Sequence, residues 1–108
     1  MVTKPVQLGS GINFAKAGDA NEHFRVILNG GDLREYLVGE ERDAVDALYR
    51  DYCAATNYLM PAEPEQYFRD WNRAEDRTTM SFYVEYDNGE IDDFSYLKAV
   101  KSVANWVR

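Results

Sequence analysis

The sequence predicts an α+β domain in which a small antiparallel sheet has about three helices packed on one face. Three segments space their apolar residues as helices do, one segment alternates apolar and polar residues as a strand does, and Asn88-Gly89 follows that strand as a tight turn. No repeat, low-complexity tract or linker-like stretch interrupts residues 1–108. They are therefore predicted to form a single domain, whose 45% apolar residues suffice for one core.

The first elements are two short extended pieces and a helix. The extended pieces are predicted at 5–8 and 12–14, joined by a glycine-containing turn at 9–11. Asp19 is in a good N-cap position for the helix, and Asn29-Gly30-Gly31 ends it. Its apolar stripe consists of Ala20, Phe24, Ile27 and Leu28.

A second helix is predicted from Glu40 to about Thr56-Asn57, after a stretch at 33–38 that is compatible with a strand. Its first turn holds three acids, where the helix dipole favours negative charge: Glu40, Glu41 and Asp43. Its apolar stripe consists of Val45, Leu48 and Tyr52. Residues 67–71 fit either a helix face or a strand, and their aromatic enrichment favours the strand.

A hairpin is the clearest local signal. Residues 80–86 alternate apolar and polar side chains, and 91–94 form the return strand. Asn88 and Gly89 are the favoured pair for a two-residue type I′ turn, because both central residues need positive φ.

That turn fixes a register and leads into a third helix. It places Tyr86 opposite Ile91 and puts Tyr83 and Phe94 on the same face of the sheet. Ser95 is then the predicted N-cap of the last helix. The apolar stripe of that helix consists of Leu97, Val100, Val103, Ala104 and Val107.

The net charge of −7 is concentrated in two segments. Residues 32–65 hold nine acids and three arginines, which gives −6, and residues 85–93 hold five acids and no basic residue, which gives −5. Such an excess argues against a broad nucleic-acid surface, because that binding depends on Lys and Arg neutralising phosphates.

Few residues are available for chemistry. Cys53 is the only cysteine and His23 the only histidine, which excludes an internal disulfide and a histidine-rich metal site within one chain. No phosphate-binding glycine motif is completed after Gly9-Ser10-Gly11, and no apolar run approaches the ~18 residues of a membrane span. We therefore expect a cytoplasmic, non-enzymatic domain with no cofactor, metal, membrane or small-molecule substrate.

One stretch has the composition of an RNA-binding surface. Its rings and guanidinium groups can stack on unpaired bases and hold phosphates. The candidates are Tyr67, Arg69, Trp71, Arg73 and Arg77. The alternative is that the aromatic rings pack in the core while surface ion pairs with Asp70, Glu75 and Asp76 cancel the charge.

The acids of the hairpin are candidates for contact with a basic partner protein. They are Glu85, Asp87, Glu90 and Asp92. The alternatives are a solvated hairpin tip, protection of an edge strand, or a hard-cation site. The spacing argues against the cation site, because strand alternation sends neighbouring carboxylates to opposite faces.

Asp87-Asn88-Gly89, followed by Asp93-Phe94-Ser95-Tyr96 and Lys98, resembles the end of the DCL (defective chloroplasts and leaves) family domain. The opening region is also similar, at Ile12, Phe14, Ala20, Phe24, Ile27 and Leu28. The chain departs from the family in its middle, where 49–53 and 58–61 replace a His-Pro-rich and a Lys-Ile-Gly segment, and at Ala99, where a cysteine is common.

The resemblance implies a compact α+β domain, here as a stand-alone member of bacterial or phage type. In plants the family is linked to chloroplast ribosomal RNA maturation and occurs at the end of an RNA polymerase V subunit. It implies no catalytic residues. The leading hypothesis is thus a non-enzymatic module that binds RNA or a ribonucleoprotein, and the alternative is an acidic module that binds a basic partner protein.

Overall fold

The predicted α+β class is correct: the described part of the chain forms three helices and two small antiparallel sheets. A computed structural model describes residues 6–8, 11–74 and 77–106, except the side chains of 73, 74, 77 and 78. In chain order the elements are β1 (Val6–Gln7), β2 (Asn13–Phe14), α1 (Ala17–Asn29), α2 (Gly39–Thr56), β3 (Pro64–Ala74), β4 (Arg77–Tyr86), β5 (Ile91–Phe94) and α3 (Tyr96–Ala104). Strands β1 and β2 pair with each other, and β3, β4 and β5 form the larger sheet in that order.

The buried residues of the helices and of one sheet face form one core. The core face of the larger sheet contributes Tyr67, Phe82, Val84, Tyr86 and Phe94, all at most 5% exposed. The predicted stripe of α1 is buried in full, as are Val45 and Leu48 of α2. Burying these side chains is the main force that holds the helices against the sheet.

Strand β3 settles the ambiguity at 67–71 in favour of the strand. It pairs with β4 along almost its whole length, with Tyr67 opposite Val84 and Phe68 opposite Tyr83. Alternation sends Tyr67 to the core and Phe68 to the other face, which we call the open face. The tip of this hairpin, at 75–76, lies outside the described residues.

The predicted two-residue turn between β4 and β5 is wrong. The backbone N–H of Tyr86 donates to the carbonyl of Glu90 at 2.9 Å, so the loop contains three residues, 87–89. Gly89 has φ +88°, whereas Asn88 is not among the residues with positive φ. The Asn88 side chain instead accepts from the backbone N–H of Glu90 at 3.0 Å. This is the three-residue loop in which a single glycine takes the left-handed position.

The extra loop residue shifts the register by one. Phe94 lies opposite Phe82 and Asp92 opposite Val84, rather than Ile91 opposite Tyr86. Because side chains alternate between faces, the shift moves Phe94 to the core and away from Tyr83. The same shift places Asp92 on the core side, where helix α2 packs.

Two further predictions need correction. Helix α1 begins at Ala17 after Lys16, so Asp19 lies in its first turn and is not the N-cap. Residues 33–38 form no strand, since Arg34 has φ +61° and breaks the extended run. The segment still follows the outer edge of β3, because the N–H of Leu37 donates to the carbonyl of Tyr67 at 2.7 Å.

The starts of the other helices agree with the sequence. Helix α3 is capped by Ser95, whose Oγ accepts from the N–H of Lys98 at 3.4 Å. Helix α2 carries Glu40 and Glu41 in its first turn and ends at Asn57, which is left-handed. The predictions for Pro5, the turn at 9–10 and Val107 fall outside the described residues. No helix in the described ranges is long and apolar enough to cross a membrane.

Candidate functional site

The aromatic and arginine side chains between 67 and 77 do not share one surface. Tyr67 is fully buried, and its hydroxyl donates to Asp46 Oδ1 at 2.6 Å. Arg69 is 4% exposed, and its guanidinium donates to the carbonyls of Ile27 at 3.1 Å and Asp32 at 3.3 Å. Neither side chain is free to stack on a base, so both serve the fold.

Arg69 explains the glycine that follows helix α1. A Cβ placed on Gly31 would collide with the Arg69 guanidinium, so only glycine allows this close approach. Of the remaining three candidates, Trp71 is half exposed, and the side chains of Arg73 and Arg77 lie outside the described part of the chain.

The four predicted acids of the hairpin do not share one surface either. Glu85 lies on the open face and accepts from the Tyr36 hydroxyl at 3.0 Å. Asp87 and Glu90 are exposed at the loop. Asp92 turns towards helix α2, so the four carboxylates cannot contact one flat partner surface together.

The residues of the family motif hold this corner of the fold together. Gly89 makes the turn, Phe94 is buried, and Ser95 caps α3. Tyr96 packs edge-on against Phe82, with ring centroids 6.3 Å apart. Asp93 accepts a hydrogen bond from the side-chain amide of Asn72 across the intervening strand β4.

An acidic groove opens between α1 and the first turns of α2. Its volume is about 700 Å³, within the range of pockets that hold ligands. Apolar and acidic side chains line it together, and we call it the α1–α2 groove. The apolar residues are Ile12, Val26, Ile27 and Ala44; the acids are Glu22, Glu40, Glu41 and Asp43; His23 completes the lining.

The charge of the α1–α2 groove is only partly balanced. The Glu22 carboxylate accepts a hydrogen bond from the Arg25 guanidinium at 2.6 Å, and this hydrogen bond lowers the pKa of the Glu22 carboxyl. Glu40 and Glu41 form no ion pair among the described residues. No Lys or Arg side chain of the described chain lines the groove, so its rim is negative.

The sequence builds this groove from two ordinary local features. The acids suit the N-terminal turn of α2, where they face the positive end of the helix dipole. Val26 lies on the solvent side of α1 and is 57% exposed. Their combination produces an apolar floor with an acidic rim.

A second cavity, of about 470 Å³, lies between the C-terminal half of α2 and strand β5. We call it the tyrosine cavity. Its lining includes the rings of Tyr49, Tyr52, Tyr58 and Phe94 and the carboxylates of Asp92 and Asp93.

Three hydroxyls and one carboxylate of the tyrosine cavity are connected. Asp92 Oδ2 accepts from Tyr86 at 2.8 Å and from Tyr58 at 2.9 Å, and the Tyr86 hydroxyl also bonds to that of Tyr49. Burial raises the pKa of Tyr49 and Tyr86, and the hydrogen bond to Asp92 raises that of Tyr58. The hydroxyls therefore stay protonated and act as neutral donors to the carboxylate.

Cys53 and His23 do not form a catalytic pair. Cys53 is buried and lines the tyrosine cavity, whereas His23 lines the α1–α2 groove. Burial raises the pKa of the Cys53 thiol, which disfavours the reactive thiolate. Within the described ranges, no three His, Cys, Asp or Glu side chains are grouped to hold a metal ion.

Comparison with known proteins gives information on the fold only. No protein-family model matches the chain, and no curated protein matches it. The chain is similar to the solution NMR structure of an uncharacterised protein from Rhodospirillum rubrum, with a TM-score of 0.68 and 21% identity over 91% of this chain and 89% of that one. The resemblance to the DCL family domain stays a prediction.

Proposed function

We propose that this chain is a non-enzymatic protein-interaction module that binds a basic, partly apolar segment of a partner protein in the α1–α2 groove. One observation carries the proposal: the described lining of the groove combines four apolar residues and four acids with no lysine or arginine. A segment with apolar anchors and flanking Lys or Arg residues complements both parts.

The charge of the whole chain supports the same proposal. At −7 the module attracts basic partners from a distance, and this attraction weakens as salt screens it. The apolar floor supplies the part of the binding energy that salt leaves intact. Binding should therefore weaken with salt and yet persist at high salt.

The resemblance to the DCL family favours a basic protein of a ribonucleoprotein as the partner. Such proteins carry the Lys- and Arg-rich segments that neutralise RNA, and an acidic groove attracts the same segments. Direct binding of RNA by Trp71, Arg73 and Arg77 is the competing prediction, and the experiment below includes it.

The test uses a labelled amphipathic peptide with leucines at helical spacing and lysines between them. Fluorescence polarisation compares it with one peptide in which Glu replaces Lys, with one in which Ser replaces Leu, and with a single-stranded RNA. We expect both altered peptides to bind at least tenfold more weakly, about 1.4 kcal/mol each. If RNA binds and the lysine peptide does not, the proposal fails.

A pair of matched variants locates the binding. Glu40→Gln with Glu41→Gln removes two charges from the groove, and Asp87→Asn with Glu90→Gln removes two from the exposed hairpin loop. The first variant should weaken peptide binding at least tenfold, and the second less than threefold. Equal losses would mean that total charge, and not the groove, attracts the peptide.

A further inference from the structure

The tyrosine cavity contains two carboxylates that no cation of the described chain neutralises. Among the described residues, Asp92 accepts only from the hydroxyls of Tyr58 and Tyr86, whereas Asp93, on the opposite face of β5, accepts from the neutral amide of Asn72. Neither forms an ion pair among the described residues, in contrast to Glu22, Asp46, Glu63 and Asp70.

Lys98 lines the same cavity but is exposed and pairs with neither carboxylate within the described chain. The tyrosine hydroxyls carry no positive charge. The cavity therefore holds a negative charge that faces space large enough for a ligand, about 470 Å³.

Aromatic residues form part of its lining. Tyr52 and Tyr58 are accessible there, whereas Tyr49 and Phe94 are buried. The faces of aromatic rings are electron-rich and attract ammonium and guanidinium groups, and this attraction grows when the cation loses water. An apolar neutral ligand would use the rings and leave the carboxylates unpaired, so a cation uses both features.

We propose that the tyrosine cavity binds an organic cation, an ammonium or guanidinium group, with Asp92 as the counter-ion and the accessible rings of Tyr52 and Tyr58 as walls. The site is independent of the α1–α2 groove, since the two share no lining residue. The cation belongs either to a free small molecule or to a lysine or arginine side chain of another protein.

NMR titration of the full chain tests the proposal with four probes. Arginine blocked at both ends and tetramethylammonium carry one positive charge each, citrulline blocked at both ends is the neutral isostere of the first, and arginine amide adds a free α-ammonium group. We expect saturable shifts at Cys53, Tyr58 and Asp92 with the cations, and at least tenfold weaker binding of blocked citrulline than of blocked arginine. Blocked arginine that matches arginine amide indicates a side chain as the source, and preference for arginine amide indicates a free molecule.

Three variants locate the site. Asp92→Asn should weaken cation binding at least tenfold, while Asp87→Asn, which removes the same charge from the exposed loop, should change it less than twofold. Lys98→Met should strengthen binding two- to threefold, because it removes a like charge from the cavity. If Asp92→Asn is not folded by NMR, Lys98→Met decides the location by itself. Equal binding of blocked citrulline and blocked arginine, or equal losses in Asp92→Asn and Asp87→Asn, would overturn the proposal.

Discussion

Asp46 and Asp92 are two partly buried carboxylates that look alike at first. Each accepts a hydrogen bond from a buried tyrosine of the sheet, Asp46 from Tyr67 at 2.6 Å and Asp92 from Tyr86 at 2.8 Å. Each also contacts helix α2, since Asp46 belongs to it and the Tyr86 hydroxyl meets that of Tyr49.

Their charge balance differs. Asp46 lies 2.9 Å from the Arg50 guanidinium and 3.7 Å from that of Arg42, whereas Asp92 has only a second tyrosine, Tyr58. A carboxylate whose charge is balanced by ion pairs within the chain stabilises the fold and has little charge left to attract a ligand. A carboxylate held only by neutral hydroxyls keeps its charge for another molecule. The comparison thus assigns Asp46 to stability and Asp92 to binding.

The largest expected effect is alkaline destabilisation, which involves both clusters. Burial raises the pKa of Tyr49, Tyr67 and Tyr86 above the ordinary value of 10.0. Above pH 10 the unfolded chain therefore releases three protons that the folded chain keeps. Stability is full below that pH and should fall by up to about 4 kcal/mol per pH unit above it, as measured by urea unfolding.

The Tyr67→Phe variant tests whether the buried tyrosines cause this fall in the free energy of unfolding with pH. It removes one of these three groups, so the fall should become shallower by about 1.4 kcal/mol per pH unit. A wild-type free energy of unfolding that stays constant between about pH 9 and about pH 11 would show that the buried tyrosines do not resist ionisation.

Replacing the two aspartates by asparagine tests the comparison directly. Asp46→Asn removes one carboxylate from Arg50 and Arg42, which keep Glu63 and Asp43, and weakens the hydrogen bond from Tyr67, so it should lower the free energy of unfolding by about 1–2 kcal/mol. Asp92→Asn keeps an oxygen that accepts from Tyr58 or Tyr86, and should change it by less than about 1 kcal/mol. Urea unfolding measures both, and equal losses would remove the distinction.

The elements were predictable where the signal is local. Helical spacing and caps located most of α2 and α3, and alternation with a turn located β4 and β5. The register was not predictable, because Asp87-Asn88-Gly89 suits a two-residue loop and a three-residue loop equally well. The choice depends on whether Phe94 or its neighbour is buried against the core, which is a tertiary effect.

The candidate sites were less predictable than the fold. Asp92 stood among the predicted acids, but its hydroxyl donor Tyr58 is 34 residues away in sequence. Arg69 was predicted to bind RNA because it lies among aromatic residues and arginines, and nothing local indicates that its partners are carbonyls at the end of α1. The exposure of Val26 beside the buried Ile27 was not predicted either, because the spacing of apolar residues along a helix does not show where its buried face ends.

Gly89→Val tests how the turn supplies the binding carboxylate. Valine resists the φ of +88° at this position, so the free energy of unfolding should fall by about 1–2 kcal/mol. Gly18→Ala is the matched control, because Gly18 lies in α1 with open space around its Cα and alanine favours a helix. Urea unfolding of both variants should show opposite signs.

Hydrogen exchange of Gly89→Val then distinguishes the two carboxylates. The turn sets the register that brings Asp92 to Tyr86, so amide protection should fall in β5 and at Asp92 before it falls around Asp46 in α2. If protection instead fell equally in both places, the two clusters would belong to one cooperative unit. Asp92 would then be as much a part of the fold's stability as Asp46, and its proposed role in binding would lose the independence on which the comparison depends.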